Sequence, residues 1–469
     1  MKKLSKPFLF AYAGIFCISF ILRLSLALVN RDFNDNHIYV ARLIMLTHKL
    51  PTQDDAWEAY QPKLYHYIVA MFAERLNVSP WNKNGLILTG QFINFFAGLI
   101  ILFIALTLIR TLPLANERLK LIAFGLAALN PGLIAINSQA TNDTFVILFS
   151  TLSIFGCYLI VNKYNRSILL LILILIFTSL AVASKANGWV AVIAIFLTFL
   201  IKGFFDKVNR LWALSFGIIF ALMMPLISVV NPLTQYLYNY RHYGSPILSN
   251  MDLPSPPPLF GSAPFSELGV ESIQDGFFTF KFIEILEHPV IDINWPTTAS
   301  SFWTSFYGRA YSLHFDYWPP TWRNRSEYVL NLTRAIFVLA LVPTFLLLFG
   351  FIVECIKLIW SLLQQKIADI ENLNYGLFLL TFVGYIAFVM FYTYVYRTNA
   401  VMKPIFALPG LLSIVVLFLR GTDLLYVKWH FQKWILAAFE SAMVILLLLF
   451  ITDVAILIIQ LAHIRSPFS

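Results

Sequence analysis

The residues of this chain able to do chemistry are few, and they gather where long apolar runs stop. Directly after the first run stands Arg31-Asp32-Phe33-Asn34-Asp35-Asn36-His37-Ile38-Tyr39. A carboxylate such as Asp35 can take a proton from a hydroxyl, or orient it, within hydrogen-bond reach. The same Asp/Asn-rich composition also fits a helix cap or turn. A second cluster, Asn137-Ser138-Gln139-Ala140-Thr141-Asn142-Asp143, follows Asn130-Pro131. Asp143 there either opens a helix capped by Thr141 or Asn142, or is an ionisable group at a membrane boundary, a default functional candidate.

The third cluster, Ser184-Lys185-Ala186-Asn187-Gly188, splits one long apolar stretch in two. A lone lysine at a helix end can snorkel to the interface or meet a phosphate, and the residues leave both open. In the fourth, Tyr392, Tyr394 and Tyr396 lead into Arg397, with Lys403-Pro404 just beyond. That pattern fits an interfacial aromatic belt, yet Arg is also the bidentate binder of phosphate. Arg241 and His242 are further candidates, on the longest polar segment, which also holds Phe302-Trp303 and Phe306-Tyr307-Gly308-Arg309. Such aromatic faces suit sugar rings or lipid headgroups. His66, His242, His288 and His314 show no local metal-ligand spacing.

The elements that must position these groups are membrane helices. Of 469 residues, 59% are hydrophobic and 12% charged, against about 25% charged in a soluble domain. The apolar runs are continuous, not alternating at period two, which excludes a β-barrel. By the twenty-residue rule the expected spans are 8–29, 87–109, 119–138, 142–161, 167–183, 187–204, 211–230, 333–360, 374–395, 400–419 and 435–460. The expected fold is therefore all-α and polytopic, with about eleven spans. Pro131 should kink the third. Residues 62–76 are too short and polar to span, and suit an aromatic helix lying at the interface. The first run reaches Val29, contains Arg23 and lacks a small-x-small cleavage site, so it reads as a retained span. Cys17, Cys157 and Cys355 all lie in apolar runs, which argues against a disulfide framework. The net charge of +9 is scattered singly at the ends of apolar runs, not patched for nucleic acid.

Two polar segments, 30–86 and 231–332, divide the chain into an N-terminal membrane module 1–230, a large loop or cap 231–332, and C-terminal membrane helices 333–469. The loop contains a stiff Pro254-Ser255-Pro256-Pro257-Pro258 tract. Basic residues mark one set of short loops: Lys2, Lys3 and Lys6, then Arg110, Arg118 and Lys120, then Lys202, Lys207 and Arg210, and later Arg420, Lys428 and Lys433. That side is cytoplasmic by the positive-inside rule. By parity, all four clusters emerge on the opposite, extracytoplasmic face.

Taken in order, these motifs resemble the GT-C glycosyltransferases that use lipid-phosphate sugar donors. Asp35…Tyr39 resembles the start of that family. Tyr60-Gln61-Pro62-Lys63-Leu64-Tyr65 looks like its Tyr-x-Pro-Pro-Leu segment, and Asn130-Pro131 with Asn142-Asp143 is similar to its third–fourth span hairpin. Ser184-Lys185-Ala186-Asn187-Gly188 resembles its Lys-x-x-Gly, and Lys403-Pro404-Ile405-Phe406-Ala407-Leu408-Pro409 its Lys-Pro-x-Tyr-x-x-Pro. The nearest branch looks like the protein mannosyltransferases and aminoarabinose transferases. Asn36 stands where many members have a second acid, and Lys63 replaces a proline.

The resemblance implies sugar transfer from a polyprenyl-phosphate donor of dolichyl or undecaprenyl type, with inversion at the sugar carbon. It implies Asp35 as base or acceptor-orienting group and Asp143 as acceptor-orienting group, both holding any divalent metal. Lys185, Arg397 and Lys403 would meet the donor phosphate, and Tyr39, Asn142, Arg241 and His242 would contact substrate. The implied partners are the lipid-linked sugar, the bilayer and an acceptor glycan, lipid or protein. A bacterial inner membrane with a periplasm-facing site fits, as does the endoplasmic reticulum. A transporter or flippase is the rival class, but such proteins commonly show internal repeats and midplane polar groups, and this chain shows neither clearly. A non-catalytic scaffold acting through the large loop is the third reading.

Overall fold

The computed structural model describes residues 5–30, 37–114, 116–163, 167–206, 209–248, 273–289, 301–313, 326–363, 370–396, 401–428 and 433–464. Asp35, Arg397 and the Pro254–Pro258 tract lie outside the described residues. The N-terminal module runs α1 (Lys6–Val29), α2 (His37–Thr47), α3 (Leu64–Arg75), α4 (Lys83–Thr111), α5 (Glu117–Ala128) and α6 (Pro131–Asn137). It continues with α7 (Asp143–Lys163), α8 (Ile168–Ser184), α9 (Trp189–Phe205) and α10 (Arg210–Val230). Short helices follow: α11 (Tyr236–Tyr243), α12 (Ile273–Phe278), α13 (Phe282–Glu287) and α14 (Phe302–Tyr311). The chain closes with α15 (Glu327–Leu363), α16 (Ile370–Tyr396), α17 (Leu411–Lys428) and α18 (Lys433–Ile464).

Among the described residues, nine helices are long and apolar enough to cross a membrane. The bent pair α5–α6 makes a tenth, and α8, at 17 residues, is a shorter apolar helix. The chain is an integral, multi-pass membrane protein. Polar caps set the helix starts, because the first N–H groups of a helix have no partner within it. Asn82 Oδ1 accepts from Gly85 N at 2.9 Å to open α4, and Asn116 Oδ1 from Arg118 N at 2.9 Å to open α5.

The expected span 119–138 is two helices meeting at 48°. Pro131 has no N–H to return to the preceding turn, so it becomes the first residue of α6, with Asn130 Oδ1 accepting from Leu133 N at 2.9 Å. The break leaves the carbonyl of Ala128 without a helical donor. Ser19 Oγ (2.8 Å) and Arg23 Nη1 (2.7 Å), both from α1, donate to it. Arg23 Nε also donates to Asn137 Oδ1 at 3.2 Å. A fully buried cation in the first span thus ties the broken helix and the 137–143 tip to α1.

The late span differs too. Residues 404–410 form two short 3-10 turns, and the helix starts at Leu411, not at 400. Pro404 and Pro409 lack N–H groups and keep this segment out of the helix. Lys403 therefore stands on a non-helical arm. Helix α3 forms where the aromatic interfacial helix was expected. It packs on α2 and α4 through Leu64, Tyr65, His66, Val69, Ala70 and Ala73.

In a bilayer, close packing and backbone approach replace the hydrophobic effect between helices. Helices α15 and α17 approach at Gly350 and Gly421, where a methyl group would overlap the carbonyl oxygens of Leu417 and Leu346. Helix α7 is central: it packs on α4, α8, α9, α16 and α17, and 78% of its apolar stretch is buried. Its first residue is Asp143.

The two ends of the bundle differ in kind. One is stitched by ion pairs between helix residues: Arg110–Glu117 (2.8 Å), Arg118–Glu440 (3.1 Å), and Glu354 held by Lys357 (2.7 Å) and Arg420 (3.0 Å). The other collects His37, the 138–143 tip, the 184–188 turn and the 403–410 arm around one cavity.

Candidate functional site

The cavity is about 1010 Å³. Its polar part is lined by His37, Glu58, Gln61, Asp143 and Lys185 from the N-terminal module, and by Arg309 and Lys403 from later in the chain. Its apolar part runs between the later helices, past Leu341, Phe345, Leu348, Phe382, Phe418 and Phe450. Trp303 and Phe306 of α14 also face it.

Asp143 and Lys185 form its central pair, with Lys185 Nζ 2.6 Å from Asp143 Oδ1 and side chains 17% and 8% exposed. The Lys185 ammonium also sits 5.0 Å from the centre of the Phe406 ring. The other Asp143 oxygen, Oδ2, accepts from Thr141 Oγ1 at 2.9 Å. Both carboxylate oxygens are thus engaged, which holds the group in one orientation. The turn that carries Lys185 depends on Gly188. A Cβ there would lie 2.6 Å from the backbone carbon of Ala181, so only glycine lets the 184–188 turn fold back onto the end of α8.

Behind this pair runs a chain of buried polar groups. Thr141 Oγ1 lies 3.3 Å from His37 Nε2, and His37 Nδ1 lies 3.0 Å from His66 Nε2. Burial holds His66 well below the usual imidazole range, with the neighbouring His37 and Lys63 pushing the same way. Lys63 is fully buried. Its Nζ donates to the carbonyl oxygens of Ala59 (2.6 Å) and Gln61. Burial lowers its pKa to about 7, against the opposing pull of Asp55 and Glu58.

Asn142 does not line the cavity; it is buried in its wall, donating to Gln61 Oε1 and to Ser184 O (3.1 Å). It therefore braces the Asp143 tip against the Lys185 turn. Lys403 lines the cavity, and its ammonium has no ion-pair partner among the described residues. Tyr39 is not brought to the cavity: it is exposed on α2, its ring centre 5.9 Å from the Arg42 guanidinium. Arg241 and His242 are also elsewhere, exposed on α11, where His242 stacks on Tyr238 at 3.9 Å. Asp35 and Arg397 lie outside the described residues. Among those residues, no group of three His, Cys, Asp or Glu side chains is arranged to hold a metal ion.

Sequence reading missed His37, Glu58 and Arg309 as cavity groups. Arg309 is buried on α14, with Nη1 3.4 Å from Met402 O. Its clue was the aromatic-rich Phe306-Tyr307-Gly308-Arg309 run, which carries no spacing that points at the 403 arm.

No protein-family model matches the sequence, and no curated protein matches it. Solved structures do. The archaeal oligosaccharyltransferase AglB from Archaeoglobus fulgidus, in complex with an inhibitory peptide and a dolichol-phosphate, aligns at TM-score 0.51 and 13% identity. The alignment covers 94% of this chain and 56% of that one, so the chain spans little more than half the length of the oligosaccharyltransferase. ArnT from Cupriavidus metallidurans bound to undecaprenyl phosphate aligns at TM-score 0.37 and 13% identity, covering 90% of this chain and 78% of that one. Among the described residues the fold is all-α and resembles that of the archaeal oligosaccharyltransferase.

Proposed function

We propose that this chain is a membrane glycosyltransferase that moves a sugar from a polyprenyl-phosphate donor to an acceptor at the extracytoplasmic face. One observation carries the reading: a single cavity joins a cation-bearing polar part to a long apolar part between helices. A molecule matching both halves has an anionic headgroup on a hydrocarbon tail. The midplane polar path expected of a transporter is not what this cavity offers, because its charges collect at one end of the bundle.

The chemistry is a displacement at the sugar's anomeric carbon. An acceptor oxygen forms the new bond, the bond to the phosphate oxygen breaks, and the lipid phosphate leaves with the electron pair. The acceptor's proton goes to a carboxylate. Asp35 is assigned as that base on the motif resemblance, while Asp143 accepts one hydrogen bond on each oxygen and keeps further lone pairs for an acceptor. Asp143 orients the acceptor and fixes Lys185. An ammonium has three donors, and Asp143 takes one from Lys185; the others, with Lys403, Arg309 and Arg397, stabilise the negative charge that grows on the departing phosphate. Displacement in one step inverts the sugar carbon. A divalent metal, if used, would draw on Asp35 and Asp143. The positive-inside pattern supports an extracytoplasmic position for this end of the bundle, which fits the periplasm of a bacterial inner membrane and equally the lumen of the endoplasmic reticulum.

The test is sugar transfer by the full chain in lipid vesicles, with undecaprenyl-phosphoryl hexoses as donors. Asp35→Asn and Asp143→Asn are each expected to lower the rate at least about a hundredfold, the scale of acid–base catalysis, while the protein still inserts. Transfer at the wild-type rate in either variant contradicts the role assigned to that residue.

A further inference from the structure

The cavity's charges are not mixed evenly, and the inequality carries information about the sugar. The inference rests on the donor reading above. Residues 57–60 form a 3-10 turn between α2 and α3, and Trp57, Glu58, Tyr60 and Gln61 all line the cavity. We propose that Trp57, Glu58 and Gln61 form its sugar-recognition wall, and that this wall selects a neutral, hydroxyl-rich ring over one bearing a carboxylate.

Three observations support it. First, this stretch offers no cation to a phosphate. Lys63, the cation nearest in sequence, is turned away and bonded to the carbonyls of Ala59 and Gln61. The phosphate is thereby left to Lys185, Lys403 and Arg309. Second, hydrogen bonds join the two parts into one wall. Glu58 accepts from Gln61 Nε2, Gln61 Oε1 accepts from Asn142 Nδ2, and Asn142 adjoins Asp143, the partner of Lys185. In this assignment a phosphate held at Lys185 has its attached ring beside Gln61 and Glu58, which line the same cavity. Third, the residue types match a sugar. An ionised carboxylate only accepts hydrogen bonds, with about four lone-pair sites on two oxygens, so it suits neighbouring hydroxyls. The indole of Trp57 is half-buried, with Trp303 and Phe306 on the same cavity, and such faces cover the C–H side of a ring.

The same carboxylate rejects. Glu58 is 5% exposed, so water screens it poorly, and a uronic acid placed here would bring a like charge against it that the neighbouring Lys63, facing away from the cavity, offsets only in part. Discrimination between sugars then comes from a repulsive group as well as an attractive one.

Binding to the full-length protein in nanodiscs tests this with three probes: undecaprenyl phosphate, undecaprenyl-phosphoryl hexoses (glucose, mannose and galactose), and undecaprenyl-phosphoryl glucuronate. The wild type is expected to bind at least one hexose donor about tenfold tighter than bare undecaprenyl phosphate, the scale of one hydrogen bond to a charged group. It is expected to bind the glucuronate more weakly than that hexose. Glu58→Gln should lose about tenfold for the hexose donor, leave undecaprenyl phosphate unchanged, and narrow the discrimination against glucuronate. Trp57→Ala should weaken the hexose donor selectively. The proposal is overturned if no hexose donor binds tighter than the bare lipid, if glucuronate binds as well as the best hexose, or if Glu58→Gln weakens all three probes alike. Failure of all three to bind the wild type contradicts the donor reading itself, and this assignment with it.

Discussion

Lys185 Nζ and Asp143 Oδ1 lie 2.6 Å apart although 42 residues separate them in sequence. The contact joins the N-terminus of α7 to the C-terminus of α8 at the cavity wall. Removing either partner leaves the other charged in a site with little water, whereas removing both does not. The effects of Lys185→Met and Asp143→Asn on thermal stability in detergent are therefore expected to be non-additive, with a coupling of about 0.5–3 kcal/mol. Strict additivity would mean that the pair does not form.

Gly188 is required by space, not by backbone angle. Gly188→Ala places a methyl group 2.6 Å from the backbone carbon of Ala181, and backbone cannot swing aside as a side chain can. The substitution is expected to cost about 1–3 kcal/mol of stability and to displace Lys185, lowering transfer more than the stability loss explains. A variant with wild-type melting and wild-type transfer would show that the turn relaxes freely.

Lys63 makes stability depend on pH in a definite direction. Its pKa falls on folding from the usual 10.5 to about 7, chiefly because it is buried. Between those values the unfolded chain binds the proton and the folded one does not, so stability rises with pH, by at most about 1.4 kcal/mol per unit. The cost of burying the charge is fully present below about pH 7. Melting of wild type minus that of Lys63→Met should therefore increase from pH 6 to pH 9 as about one proton is lost. A flat or falling difference would mean that Lys63 stays charged in the fold.

Much of this was legible in the sequence, for reasons that individual residues make plain. The apolar runs were long enough to read as helices without knowing their neighbours, and Asn130-Pro131 announced a disturbance in the third. Its size was not legible, because the break is stabilised by Ser19 and Arg23 from another helix. Arg23 looked like a stray charge in a first span; its partners Ala128 and Asn137 lie more than a hundred residues away. The Asp143 tip and the Lys185 turn were singled out because helix counting puts both at one end. His37, Glu58 and Arg309 were not, since each acquires its cavity position only through tertiary packing. Tyr39 was chosen by motif spacing, but on α2 it falls on a different face from His37, two residues earlier, so only His37 reaches the cavity. The late span was placed too early because Val401 and Met402 are apolar, while Pro404 and Pro409 defer the helix to Leu411.

The central claim is that a lipid phosphate occupies this cavity, and a cryo-electron microscopy map of the full chain with saturating undecaprenyl phosphate tests it most directly. The expected result is phosphate density within hydrogen-bond reach of Lys185, Lys403 or Arg309, with the tail running toward Phe382 and Phe418. Lys403→Ala should weaken binding of the same lipid about tenfold or more, the scale of a charge-assisted hydrogen bond. A cavity empty of lipid at saturation, or a phosphate resting instead among Arg118, Lys357 and Arg420 at the opposite end, would contradict the account.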